Sequence, residues 1–322
     1  MNFWKKLKKP IFALAPMYDV TDSVFRKIIA ERSNLDVVYF TEFVSVDGIN
    51  HPEGRKKLEH LLWFDGKDRP IVAQLFGNNP ENFKKAAQLC VELGFDGIDI
   101  NTGCPEKNII KQGAGSALIQ NPELTKEIVQ ATIEGAGKIP VSLKTRIGFN
   151  KNEIDEWIPF LLKIKNLAAL TIHLRTRKEM SLADAHWELM SEIVEMKNEL
   201  NPEIILLGNG DVKTVLEARQ KVEEIGCDGV MIGRGIFGNP WLFNDPVLEI
   251  SLEEKLKTMI KHTDLYEKTF KGIKNFYIMK KHYKAYISGF DGASDLRAKL
   301  MEVDSADEVR EIVDKFLKDR KF

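Results

Sequence analysis

Gly97-Ile-Asp-Ile-Asn101-Thr-Gly-Cys104-Pro105 is the segment on which the fold turns. Its first five residues read as a short strand, and two chemically capable residues, Asn101 and Cys104, stand at the C-terminal end of that strand on a Gly-Cys-Pro turn. Seven comparable apolar, often β-branched runs recur along the chain: Ile11–Ala15, Val37–Thr41, Ile71–Phe76, Val141–Thr145, Ala169–Leu174, Ile204–Gly208 and Gly229–Gly233. Each is followed by a stretch with helical spacing, so strand and helix alternate eight times. Helix signals sit in the intervals: Asn121-Pro122 offers Pro at a first helical position, and Gly94, Gly137 and Gly226 fall where helices must stop. Continuous apolar strands fit a parallel sheet covered on both faces. Such a sheet is either an open doubly wound one or a closed barrel. Polar residues gather at nearly every strand's C-terminal end: Pro16 and Met17, Glu42, Gln74, Asn101, Lys144 and Arg146, His173 and Arg175, Asn209 and Asp211, Gly233 and Arg234. A barrel brings those ends to one mouth, whereas an open sheet spreads them along a crevice. The expected fold is therefore α/β, a (β/α)8 TIM barrel.

The strand signal ends after Asn239-Pro-Trp-Leu-Phe243, and helical patterns take over. Ser251-Leu-Glu-Glu254 and Ser305-Ala-Asp-Glu308 read as capping boxes opening a first and a last helix, with helices over Lys274–Ile287 and Ser294–Met301 between them. We expect a catalytic barrel over residues 1–246 and a C-terminal all-helical domain over 247–322. The 322-residue length suits a barrel of about 250 residues plus a small module. Hydrophobic content of 43% and charged content of 30% are those of a globular protein. No apolar run approaches the roughly 20 residues that span a bilayer, so a cytoplasmic protein without membrane partners is expected. Three cysteines, Cys90, Cys104 and Cys227, offer neither a complete pairing nor metal-ligand spacing. The net charge of −1 neither demands nor excludes nucleic acid, but residues 255–299 carry eleven Lys and Arg against four acids.

A lone cysteine is usually a small buried hydrophobe, and Cys90 and Cys227 read that way. Cys104, on a rigid turn at the mouth, is instead placed to act as nucleophile or proton donor. Lys144 has three uses open to it: Schiff base, general acid or base, or cation beside an anionic cofactor. His173 reads equally as a ligand or as a satisfied core histidine. Gly208-Asn-Gly-Asp211 and Gly233-Arg-Gly235 follow the seventh and eighth strands, where barrels commonly hold a phosphate on backbone N–H groups. Arg234 offers that phosphate a planar cation, or else belongs to an internal ion pair.

Together these residues resemble the tRNA-dihydrouridine synthase family, in its bacterial branch. The resemblance runs from Ala13 to about Phe243 through Ala15-Pro-Met17 with Thr21-Asp22, Gln74-Leu-Phe-Gly77, Asp99–Pro105, Gly113–Leu118, Lys144–Gly148, His173–Arg177, Gly208–Asp211 and Gly229–Gly235. It implies reduction of the C5=C6 bond of uridine in tRNA to 5,6-dihydrouridine, with FMN as cofactor and NADPH or NADH as reductant. It further implies that Pro16, Met17 and Gln74 surround the flavin ring, that Lys144 and His173 contact it, and that Asn209, Asp211, Gly233 and Arg234 hold its phosphate end. Cys104 is implied as the general acid and Asn101 as a shaper of the substrate pocket. The chain departs from the family in Leu174, where glycine is common, and in the segment Met180-Ser-Leu-Ala-Asp184. Arg175 and Arg177 remain as expected RNA contacts.

A stacked uracil cannot enter a barrel mouth, so the nucleotide must be turned out while the basic helices hold the backbone. Lys280, Lys281, Lys284 and Arg297 are the expected RNA contacts there, with His282 and Tyr283 interleaved for stacking or hydrogen bonding. The competing readings are a flavin reductase of free pyrimidines, a Schiff-base aldolase using Lys144, and a noncatalytic tRNA-binding protein. A monomer without bound metal is expected, although no residue pattern fixes the oligomeric state.

Overall fold

The structure, a computed structural model, describes residues 2–320. Its eight principal strands are β1 Ile11–Leu14, β2 Val37–Phe40, β3 Ile71–Phe76, β4 Gly97–Asn101, β5 Val141–Arg146, β6 Leu167–His173, β7 Ile205–Asn209 and β8 Gly229–Ile232. Each pairs in parallel with the next, and β8 returns to β1 through Ile11↔Gly229 to Leu14↔Ile232, which closes the sheet into a barrel. The strands stand where the apolar runs place them. The largest shift is in β6, which begins two residues earlier, at Leu167. A short extra bridge, Val44–Ser45, pairs with the C-terminal end of β3; two residues are too few to show a period.

Helices cover the outside of the barrel: α1 Ser23–Ala30, α2 Pro80–Glu92, α3 Pro122–Ala136, α4 Ile154–Leu162, α5 Met190–Leu200 and α6 Val215–Ile225. Local chemistry sets their ends. Asn121 caps α3 by accepting from the Leu124 N–H with Pro122 behind it, and Gly226 closes α6 in the left-handed conformation. Alternation along each strand then builds two separate cores. Outward residues such as Phe12, Leu14, Val37, Ile98, Ile100, Leu143, Leu170 and Ile172 pack under the helices. Inward residues Ile11, Ala13, Ala15, Val38, Phe40, Val72, Ala169, Ile205, Leu207 and Met231 fill the barrel, and Trp4 closes its N-terminal end. Full burial of each larger side chain contributes about 1.5–3 kcal/mol.

Four helices follow the barrel: α7 Leu252–Phe270, α8 Ile278–Tyr286, α9 Ala293–Met301 and α10 Ala306–Asp319. Ser251 and Ser305 cap α7 and α10 through the N–H groups of Glu254 and Glu308, as their boxes predict. The four gather Leu256, Met259, Tyr266, Met279, Tyr283, Tyr286, Leu296, Leu300, Val309 and Val313 into one core, which meets the barrel at Val24 of α1.

Two expectations need correction here. The helix expected from Lys274 begins at Ile278, because residues 271–277 turn to carry Lys274 back to the barrel. There its ammonium donates to both oxygens of Glu42, at 2.9 and 3.0 Å, and the two side chains are 5% and 1% exposed. The second correction concerns α8. His282 and Tyr283 are buried, with His282 packed against Phe25 and His262. Lys280 is also buried, and its Nζ donates to the Met301 carbonyl and to Asp304. These three side chains hold the helices together and do not face an RNA. Met279, His282, Tyr283 and Tyr286 form one helical stripe, and that stripe is the inward one.

Candidate active site

Because inward residues alternate, the C-terminal half of the barrel interior is decided by a few strand positions. On β3 to β6 these are Gln74, Asp99, Asn101, Ser142, Lys144 and Thr171, whose register sets Gln74 beside Asp99, Asp99 beside Ser142, and Asn101 beside Lys144. A polar half therefore faces a largely apolar half made by β1, β2, β7 and β8, into which β7 sets one polar residue, Asn209. Across its floor runs one chain of hydrogen bonds. Asn101 Nδ2 donates to Gln74 Oε1 at 3.0 Å, Gln74 Nε2 to Asp99 Oδ2 at 2.7 Å, and Ser142 Oγ to Asp99 Oδ1 at 2.6 Å. Burial pushes the Asp99 carboxyl up to about 6, against the pull of its two hydrogen bonds and of Lys144.

Above this floor opens a cavity of about 1040 Å³, of the size that takes a cofactor-sized ligand. Pro16, Met17, Gln74, Asn101, Cys104, Lys144, His173, Arg175, Asn209, Asp211, Gly233 and Arg234 all line it. Thus residues from seven strand ends meet in one place. Lys144 donates to Asn209 Oδ1 at 3.0 Å. Burial, reinforced by the Arg146 charge, lowers its ammonium to about 8. His173 is held neutral by burial and by the cations Arg146, Lys144 and Arg175, and its Nε2 accepts from Arg175 Nη1 at 3.2 Å.

Cys104 owes its position to two features of its sequence. The Asn101 side-chain oxygen accepts from the N–H groups of Gly103 and Cys104, which folds the turn back over the strand end. Gly115, at φ 59°, lets the following segment lie against it. A Cβ there would stand 3.0 Å from the Cys104 carbonyl oxygen, and the Ser116 N–H donates to that same oxygen. The thiol faces the cavity half-buried, and desolvation raises its pKa above the ordinary cysteine value, so it stays protonated.

At the ends of β7 and β8 the geometry divides the expected phosphate ligands into two groups. The N–H groups of Gly210, Asp211 and Gly233 donate to no protein acceptor among the described residues. Gly210 adopts φ 138°, with its carbonyl pinned by the Trp187 indole N–H at 2.8 Å. These groups suit an anion. The Asp211 carboxylate does not. It accepts from Arg175 Nη2, from Arg234 Nη2 at 2.6 Å and from the Ala185 N–H. Burial works against its charge, but these partners outweigh it and hold the carboxyl below its usual range. Asp211 thus organises the arginines, while its backbone remains free for a ligand. Arg175, expected as an RNA contact, is buried in that ion pair and braces the rim.

Arg177 lies outside the cavity, its guanidinium stacked over the Phe149 ring at 4.1 Å. Lys281 is exposed on α8 with Nζ 3.7 Å from Asp19, beside the mouth. Lys284 is exposed one turn on. Arg297 donates to the Ile287 carbonyl at 2.6 Å and remains partly exposed. Leu174 is fully buried under the helices, so the departure from the family glycine is accommodated in the core. Residues 180–184, noted in the sequence as a departure from the family that bears on RNA contact, line the cavity, and so does Phe43, to which sequence reading gave no part. Among the described residues no cluster of His, Cys, Asp or Glu has the geometry of a metal site.

A basic, thiol-bearing cavity with free backbone donors at the mouth of a parallel eight-stranded barrel is the site of an enzyme of the (β/α)8 class. Solved structures share the fold: 2-naphthoyl-CoA reductase, with TM-score 0.55 and 11% identity over 74% of this chain and 52% of that one, and histamine dehydrogenase from Rhizobium sp. 4-9, with TM-score 0.51 and 14% identity over 72% and 44%. More specifically, the model of the family described as dihydrouridine synthase (Dus) matches residues 13–321, and the chain belongs to that family. It is 43% identical over 318 residues to the probable tRNA-dihydrouridine synthase of Staphylococcus aureus strain MRSA252, covering 98% of this chain and 95% of the relative. It shows the same identity to the probable tRNA-dihydrouridine synthase 2 of Bacillus subtilis strain 168, with 98% and 96% covered.

Proposed function

We propose that this protein converts uridine in tRNA to 5,6-dihydrouridine as a flavin-dependent oxidoreductase, with FMN as the flavin, NADPH or NADH as the reductant and Cys104 as the proton donor. Cytoplasmic tRNA would be its substrate. The observation that carries the reading is the meeting of a protonated thiol, Cys104, and a desolvated cation, Lys144, in one cavity with unpaired N–H groups at the ends of β7 and β8.

The residues present fit a flavin mononucleotide. The N–H groups of Gly210, Asp211 and Gly233, with Arg234 beside them, would hold its phosphate, and Ala15, Pro16, Met17 and Met231 would offer its ring an apolar wall. When bound, the flavin would supply hydride chemistry for C6 of the uracil ring, with the nicotinamide as the source of electrons. The chain's residues do the rest. Asn101 holds the turn that aims Cys104, whose Sγ carries the proton for C5. Lys144, above the floor and tethered to Asn209, stabilises negative charge where the ring is reduced. His173, neutral and fixed by Arg175, offers a hydrogen bond from its other nitrogen without adding charge.

The test is an absorption spectrum of the purified protein, then NADPH oxidation with and without unmodified tRNA and mass analysis of the RNA. Flavin bands and a tRNA-dependent gain of two hydrogens on uridine are expected. A flavin-free protein after reconstitution, or turnover confined to free pyrimidines, would overturn the reading.

A further inference from the structure

The rim segment between β6 and α5 exposes an apolar side chain where the cavity opens. Leu182 is 90% exposed and still lines the cavity. Two positions earlier Met180, itself half-exposed, is held at φ 54°, a left-handed conformation unfavourable for a side chain of that size. Yet the segment is heavily braced. Arg146 Nη1 donates to the carbonyls of Thr176 and Met180, and Arg175 Nε to that of Ala183. Glu179 accepts from Thr176 and pairs with His186 at 2.8 Å, tying the two ends of the segment together. The Ala185 N–H is fixed on Asp211. The Leu182 N–H itself donates to the Glu179 carbonyl at 2.9 Å, so the side chain is presented to solvent from a fixed backbone. A single exposed leucine is ordinary on a protein surface; what sets Leu182 apart is its place at the opening of the cavity, on a braced segment that a ligand entering the cavity must pass.

The partner follows from what must reach Cys104. A uracil that enters the cavity leaves a gap in the RNA stack, and an apolar side chain at the rim is the chemistry that fills such a gap. We propose that Leu182 inserts into the RNA stack at the position vacated by the target uridine and so favours the turned-out state. The inference rests on the tRNA-reducing function proposed above. RNA is the occupant because the same rim carries the exposed base Lys213 and borders the cavity that holds the thiol.

The uridine that the wild-type enzyme reduces is first located by mass analysis. A tRNA carrying 2-aminopurine beside that uridine then reports unstacking by its fluorescence. Wild type is expected to raise the fluorescence on binding. Leu182→Ser should lose the rise and lower kcat/KM on tRNA about tenfold or more, as loss of a wedge worth one base step implies. Leu182→Met should restore both. An undiminished rise with Leu182→Ser overturns the proposal whether or not turnover falls. A wild-type enzyme that makes no dihydrouridine would instead overturn the function on which the proposal stands, before any variant is compared.

Discussion

Replacing Asp99 by Asn removes a buried charge while keeping the shape of the barrel floor. Burial lifts this carboxyl from the ordinary 3.8 to about 6, which corresponds to about 3 kcal/mol between its protonated and ionised forms. The direction follows from linkage. Because the folded value lies above the unfolded one, the folded state binds the proton more tightly. The stabilisation is full below about pH 4 and is lost as pH rises through about 6. An amide in the same place accepts from Gln74 with its oxygen and donates to Ser142 Oγ with its nitrogen, so the hydrogen-bond chain survives. Asp99→Asn should therefore be more stable than wild type by up to about 3 kcal/mol in urea unfolding at about pH 7.5, and no more stable at about pH 4. It should also cost function. Lys144 loses an attractive charge and moves further below about 8, so less of it is cationic at neutral pH and turnover falls. Equal unfolding free energies at the higher pH, or a gain that persists undiminished at the lower one, would refute the reasoning.

Cys104→Ala should retain bound flavin and its reduction by NADPH, yet lose most dihydrouridine formation; stopped-flow absorbance and mass analysis read the two steps separately, and loss of the flavin with the thiol would end its assignment as proton donor. Lys274→Met leaves Glu42 buried without its cation and should destabilise the protein by about 3–5 kcal/mol. Denaturant titration should show that Glu42→Gln in the same chain restores most of this. Combined Lys281→Glu and Lys284→Glu should weaken tRNA binding about tenfold or more and flatten its salt dependence, measured by filter binding over a range of ionic strength.

The barrel was legible because parallel strands buried on both faces read as apolar runs. Its mouth was legible because polar residues collect at one end of each run. Gln74, Lys144, His173, Asn209 and Gly233 all reach the cavity by that logic. Less accessible was the depth of each polar residue. Asp99 is separated from Asn101 by a single isoleucine, so the period of two already sets both on the inner face. That signal would have found the floor. On α8 the lysines drew attention to charge, while the spacing of Met279, Tyr283 and Tyr286 assigned the buried side and took Lys280 and His282 with it. The Glu42–Lys274 pair spans 232 residues, and no local pattern encodes a contact of that range. Asp211 shows a different limit: a conspicuous residue in the expected loop gives its side chain to two arginines and leaves its backbone N–H unpaired among the described residues.

Trp4 deepens the consequence of the barrel's construction. Packed with Phe3 and Leu7 against the inward residues of the lower strands, it stoppers the end opposite the thiol. With that end filled, the cavity among the described residues opens at the C-terminal mouth, so on the function proposed above the electron donor and the RNA base would reach Cys104 by the same route. Sharing that route would separate the two half-reactions in time.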